Sequence, residues 1–300
     1  NQRTENDPAA LMREQLRAAL YMNHPYGVPI IGWRHEMVSL SLEDALAFYE
    51  RHYAPNNAIV VVAGDVTPEE IFALAEAHYG AIPANPDIAP RSRPQEPPHM
   101  APRRMVYADP RVAQPYVLRS YLVPERDPGD QREAAALVLL SEVLGGGQTS
   151  VLANAMQFGS ETALYAGTGY RGTSLDDTTF SLVAVPKPGI GLDDIEAEMD
   201  TVIADFLAAG DIDDDQLARI KFQIKASQIY EQDTVRSVAN RYGAALASGL
   251  TVEDVQAWPA LLQEITEEEI IAAGRAVFDL DRSVTAHLTR PETGQPEVTQ

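Results

Sequence analysis

The chain repeats itself. Its only two tryptophans, Trp33 and Trp258, stand 225 positions apart. At the same offset Leu40 meets Ile265, Ser41 meets Thr266 and Glu43 meets Glu268. Ala47 meets Ala272, Tyr53 meets Phe278 and Ile59 meets Val284. The predicted helix over 7–22 falls on another near 232–247, so helix, crossing, capped helix, turn and strand recur in one ungapped order. Such self-similarity predicts two copies of one unit. A full unit runs over roughly 80–300 with its linker, and residues 1–80 are the second half of another. The first half of that other unit, the counterpart of 103–225, is then roughly 120 residues outside this chain, in a parent of roughly 420 residues or more.

Local signals place the elements. Asp7 caps a helix over 7–22, with Pro8 at its first position and Leu11, Leu16 and Leu20 on its apolar face. Residues 24–39 read as a loop-rich crossing. Ser41 opens a helix to about Tyr53, with Asp44 completing a capping box. Pro55-Asn56-Asn57 is a turn, and the β-branched run Ala58 to Ala63 reads as a short buried strand. Thr67-Pro68 begins a helix running to Tyr79 and closed by Gly80. Seven prolines between Pro83 and Pro102 exclude regular structure and mark an extended linker. Beyond it, strands are expected over 116–123, 162–170, 178–185 and 282–288. Helices are expected over 131–144 and 150–157, along the stripe Leu192, Ile195, Met199, Val202, Ile203, Phe206 and Leu207, and near 212–230, 234–248 and 266–278. Residues after Arg290 read as a polar tail.

Charge and composition narrow the function. The formal charge of −21 argues against phosphate-backbone binding, so nucleic acid is not an expected partner. No run of 18 apolar residues is present, so no membrane insertion is expected. The absence of cysteine removes disulfides, thiolate metal sites and a thiol nucleophile. None of the six histidines falls in HExxH or HxxEH. Gly167 to Gly172 spells GxGxxG, but strand residues follow where a dinucleotide site needs a helix N-terminus. Gly145-Gly146-Gly147 lacks the lysine of a phosphate loop and reads as a helix end, or as a mobile loop touching substrate. Asp211 to Asp215 lacks the glycine of a calcium loop and suits a helix N-terminus. Spacing alone names no reaction, and an unrelated acidic α+β binding module remains a rival reading.

Certain blocks carry a resemblance. Arg3-x-x-Asn6-Asp7-Pro8, His24-Pro25-Tyr26-Gly27-x-Pro29-x-Ile31-Gly32-Trp33, Tyr53-Ala54-Pro55-Asn56-Asn57-Ala58 and Ala63-Gly64-Asp65 resemble the M16 (pitrilysin/insulinase-like) zinc metallopeptidases. So do Leu144-Gly-Gly-Gly-x-Thr-Ser150 and Leu250-Thr-Val-Glu-Asp254. The likeness covers about 1–290 and is to the two-domain bacterial branch similar to mitochondrial processing peptidase. It implies an α+β fold of tandem homologous α/β sandwich domains, the first truncated to its second half. Residues 1–82 would be that half of the catalytic-type domain, 83–102 the Pro-rich linker, and 103–300 the non-catalytic domain.

The resemblance also implies a zinc endopeptidase that closes a chamber around extended peptides. Its zinc and its base belong to an HxxEH helix and a later Glu, none of which lies in this chain. No catalytic or metal residue is therefore expected here, zinc is expected only in the parent, and this chain alone is expected to be inactive. The resemblance points to substrate contact at Tyr165 and at Gly145, Gly146 and Gly147. The family often pairs that Tyr with an Arg seven residues earlier, where this chain has Phe158, and Val151 replaces another common Arg. The rival within the family is a non-catalytic subunit that clamps peptide for a zinc-bearing partner. Peptide substrates, a homo- or heterodimer with another M16-like subunit, and a periplasmic rather than cytoplasmic parent complete the expectations.

Overall fold

The computed structural model describes residues 2–291. The expected polar tail falls almost wholly outside them. The first segment holds helices α1 (Gln2–Glu5), α2 (Pro8–Leu20), α3 (Arg34–Met37), α4 (Leu42–His52) and α5 (Pro68–Tyr79). After the irregular stretch 83–102 come β1 (Arg103–Ala108), β2 (Tyr116–Val123), α6 (Arg132–Gly145), a π-helical turn (Ala153–Gly159), β3 (Ala163–Tyr170) and β4 (Thr178–Pro186). The chain continues through α7 (Leu192–Ala209), α8 (Asp214–Glu231), α9 (Val235–Ala247), α10 (Val252–Glu264), α11 (Glu267–Val277) and β5 (Ser283–Thr289).

The five strands form one sheet in the order β1-β5-β2-β4-β3. Only the β1–β5 pair is parallel. Period-2 alternation divides β2 between two cores, while β3 and β4 feed one and β1 and β5 the other. Val117 and Tyr121 of β2, with Phe180 and Leu182 of β4, face the apolar sides of α6, α7 and α11. Val284, Ala286 and Leu288 of β5 face the other way, onto Met12, Leu16, Leu20 and Tyr21. Helix α2, from the first segment, thus covers the sheet of the second. Its capping is as expected: the Asp7 carboxylate accepts from Ala9 N–H at 2.9 Å. The residue turned inward is Met12, whereas Leu11 is only partly covered.

The repeat is visible in three dimensions. Helices α4 and α11 start and stop at the same offset of 225, as do the turns Pro55–Asn57 and Leu280–Arg282 that follow them. Ser41 and Thr266 both cap their helices with a reciprocal acidic partner, Asp44 and Glu269.

The next element departs from expectation. Residues 58–63 form no strand, and Ile59, Val60 and Val62 are exposed, Val60 at 63%. A strand exists only through the ladder that satisfies its backbone. β5 lies between β1 and β2, but no strand runs beside 58–63 among the described residues. Helix α9 does lie alongside: a Cβ on Gly243 would stand 3.8 Å from Val61 Cγ2.

Other corrections are local. Gly80 ends α5 with right-handed φ of −61°, so its place there comes from contact, a Cβ falling 2.5 Å from the Glu76 carbonyl oxygen. The helix expected over 150–157 is largely a π-helical turn. The crossing 24–39 contains a 3₁₀ turn, Pro25–Gly27, and α3. No sequence signal marks β1, because Arg103 to Ala108 alternates only weakly in polarity.

Candidate functional site

Helix α6 ends against β3, and a glycine makes that approach possible. A Cβ on Gly145 would overlap the Thr168 backbone nitrogen and lie 2.7 Å from the Gly167 carbonyl carbon. The Thr168 hydroxyl donates to the Ser141 carbonyl at 2.6 Å and pins the helix end to the strand. Gly146 folds over Glu142, Gly147 stands in open space, and the Ser150 hydroxyl donates to the Gly147 carbonyl at 2.6 Å.

Tyr165 sits on β3 beside this helix end. The register slips between Ala163 and Tyr165, and this bulge turns both Leu164 and Tyr165 outward, each 50% exposed. The Tyr165 hydroxyl lies 2.5 Å, and the Gly145 carbonyl oxygen 3.3 Å, from the place of a Cβ on Gly167. The structure therefore brings Tyr165 and Gly145 together across Gly167, with Gly146 and Gly147 following on the adjoining loop. GxGxxG is likewise resolved: Gly167 and Gly169 lie in β3 and β4 follows, with no helix N-terminus to receive a pyrophosphate.

β3 pairs only with β4, so its other edge has no strand beside it among the described residues. The π-helical turn packs there, and Gln157 Nε2 donates to the Ala166 carbonyl at 3.3 Å. No spacing signal in the sequence marks Gln157. Phe158, on the same turn, is exposed. An edge strand with a tyrosine hydroxyl nearby can pair with extended backbone. It offers neither nucleophile nor general base.

A second cluster lies on the sheet face opposite α2. Glu196 of α7 takes Arg104 Nη1 at 2.5 Å, Arg119 Nη2 at 2.5 Å and His287 Nε2 at 2.7 Å. Arg119 is 2% exposed and also bonds Asp200 and, through Nε, the Thr285 hydroxyl. Asp193, Glu196 and His287 converge closely enough to suggest a metal. They do not fit one, because both Glu196 oxygens are already held by guanidinium groups that would repel a cation. The cluster is a structural ion-pair network. One sequence signal could mark Glu196: it stands beside Ile195 and one helical turn before Met199 on the buried face of α7. Of the other histidines, His24 bonds Asp176 and His99 lies 3.4 Å from Arg103.

A family model described as Peptidase M16 inactive domain matches residues 39–224. The zinc protease PqqE of Helicobacter pylori is 24% identical over 287 residues, covering 95% of this chain and 63% of its own length. A crystal structure of a protease from Helicobacter pylori superposes with a TM-score of 0.87 at 24% identity, over 97% of this chain and 69% of that one. The first half of the periplasmic protease PqqL from Escherichia coli gives 0.76 at 17% identity, over 95% and 62%. This chain spans about three fifths of the length of the curated relatives it matches.

Proposed function

The chain belongs to the peptidase M16 family and carries its inactive domain, and from that premise we propose that it is the peptide-holding part of a zinc endopeptidase. In this reading residues 1–82 are the second half of the catalytic-type domain, 83–102 the linker and 103–300 the non-catalytic domain. An extended peptide adds along the strand-free edge of β3 beyond the π-helical turn, with Tyr165 and the Gly145–Gly147 loop against its backbone, inside a chamber completed by the rest of the parent. Zinc would polarise the scissile carbonyl and its water, but the convergent Asp193, Glu196 and His287 do not fit it. The metal and the base belong outside this chain, which alone does not hydrolyse peptide. A periplasmic parent accords with the named periplasmic neighbour.

The observation that carries the reading is the β3 edge next to Tyr165, which pairs with no strand among the described residues and is covered in part by the π-helical turn. A clamp subunit serving a zinc-bearing partner is the less favoured reading, since Phe158 supplies no cation to a substrate carbonyl. The test is titration of the purified chain with a fluorescein-labelled extended peptide, with and without added zinc, followed by mass spectrometry of the peptide. Binding without cleavage is expected, and Tyr165→Ala should weaken it several-fold, about 1 kcal/mol. Cleavage by the chain alone, or binding indifferent to Tyr165→Ala, would overturn it.

A further inference from the structure

The block His24-Pro25-Tyr26-Gly27 has no part in the reading above, yet every residue in it is committed. The carboxylate of Glu96 accepts from the backbone N–H groups of Met22 at 2.9 Å, Asn23 at 2.8 Å and His24. The Tyr26 N–H donates to His24 Nδ1 at 3.1 Å, which leaves Nε2 to carry the ring proton toward Asp176, 3.1 Å away. Pro25 starts the 3₁₀ turn. Gly27 passes so near Tyr21 that a Cβ would stand 3.0 Å from the Tyr21 carbonyl oxygen. The rings of Tyr21, His24 and Tyr26 pack edge to face or tilted, 4.4–5.9 Å apart.

All of this is aimed at one loop, the turn joining β3 to β4. The Tyr26 hydroxyl accepts from Leu175 N–H at 3.2 Å and from the Ser174 hydroxyl at 3.3 Å. The Tyr21 hydroxyl donates to the Asp177 carbonyl at 2.9 Å. From the linker, Arg93 donates to the Asp176 carboxylate at 2.6 Å and to the Leu175 carbonyl. Residues 174–177 are thus each bonded by groups from the first segment or the linker. The contacts are polar, and they border a cleft of about 540 Å³ lined in part by His24, Arg93, Glu125 and Asp176. Hydrogen-bond direction therefore sets the position of this turn, where a close-packed seam would set it by shape.

We propose that His24 and Tyr26 are positioning residues for the β3–β4 hairpin, holding its turn where the β3 edge can take a peptide. The peptide arm rests on the proposed function, whereas the joint does not. Tyr26→Phe keeps the ring packing and removes only the acceptor. It should speed amide exchange at Leu175 roughly tenfold and weaken the labelled peptide several-fold, with the thermal midpoint nearly unchanged. His24→Ala should do the same, and His24→Gln, which restores a donor toward Asp176, should recover both. Faster exchange with unaltered peptide affinity would reduce the block to a structural brace and overturn the proposal. Unaltered Leu175 exchange would overturn it outright. If the unsubstituted chain binds no peptide, the functional reading falls, and exchange at Leu175 and along β3 alone decides the joint.

Discussion

Glu196 and Glu125 carry the same carboxyl into opposite settings. For Glu196, burial alone would raise the pKa. Hydrogen bonds from His287 and Arg104 and the charges of Arg119 and Arg104 outweigh burial and hold it well below the usual carboxylate range. Its folded pKa lies under the unfolded one, so its stabilisation is complete above the unfolded value and fades only as the pH falls toward the folded value. Glu196→Gln leaves buried Arg119 with Asp200 as its remaining carboxylate. The expected cost in urea unfolding at pH 7 is about 3 kcal/mol, and most of it should persist at pH 5. An unchanged midpoint would contradict the network. Glu125 is the reverse case: burial first, then Asp127, Asp177 and Asp176, push its pKa up. Arg93 offers a cation only at 3.7 Å. A raised carboxyl costs stability while ionised, and the cost disappears as the pH falls through its folded value. Glu125→Gln should therefore stabilise the chain at pH 7 by on the order of 1 kcal/mol, with the gain shrinking toward pH 4. A destabilised variant at pH 7 would show that the Arg93 contact outweighs the crowding.

The repeated helices show what a local signal can and cannot specify. Ser41 and Thr266 make the same capping box, and both could be read from sequence because a cap depends on residues within one turn. The settings differ: α11 buries Ile270, Ile271, Ala273, Gly274 and Val277, whereas α4 buries nothing. Thr266→Ala should thus cost about 1 kcal/mol of global unfolding free energy. Ser41→Ala should leave the global transition in place and only speed amide exchange within α4. Equal losses in the two variants would mean that α4 is as integral as α11. The same contrast explains what was legible. Helix starts at Asp7, Ser41, Thr67 and Thr266 were readable, and so were strands with apolar alternation. Residues 58–63 were mistaken for a strand because β propensity says nothing about whether a neighbour is present. The π-helical turn was missed because its composition matches that of an α-helix. Tyr165 and Gly145 were named through resemblance, but their meeting across Gly167 depends on the bulge and on helix packing. Arg104, Arg119, Glu196 and His287 are scattered over nearly two hundred positions, and only the sheet with α7 packed on it unites them.

At the scale of the whole molecule, the two copies of the unit are unequally finished. The copy containing β5 is packed on both faces of its sheet. In the other, Leu46, Phe48 and Tyr49 of α4 are exposed, where their counterparts Ile271, Ala273 and Gly274 are buried. Val60 and Val62 are bare, where Thr285 and His287 meet Arg119 and Glu196. Among the described residues two buried polar atoms lack partners, Gln228 Oε1 on α8 and Arg241 Nε on α9, and α9 is the helix that lies against Val61. Soluble domains rarely leave so much apolar surface and buried polarity unmatched unless something covers it. The duplication says what would cover it: a half-unit built like β1, β2 and α6, setting a parallel strand on one side of 58–63 and an antiparallel strand on the other. Amide exchange decides this. In the 300-residue chain Ile59 to Val62 should exchange as freely as loop amides, while Val284 to His287 of β5 are protected. In a longer polypeptide of the parent that includes the upstream half-unit, Ile59 to Val62 should gain protection approaching that of β5, a slowing of roughly a thousandfold or more. Protection already present in the shorter chain would mean that 58–63 has found another partner, and no gain in the longer one would break the equivalence of the two units.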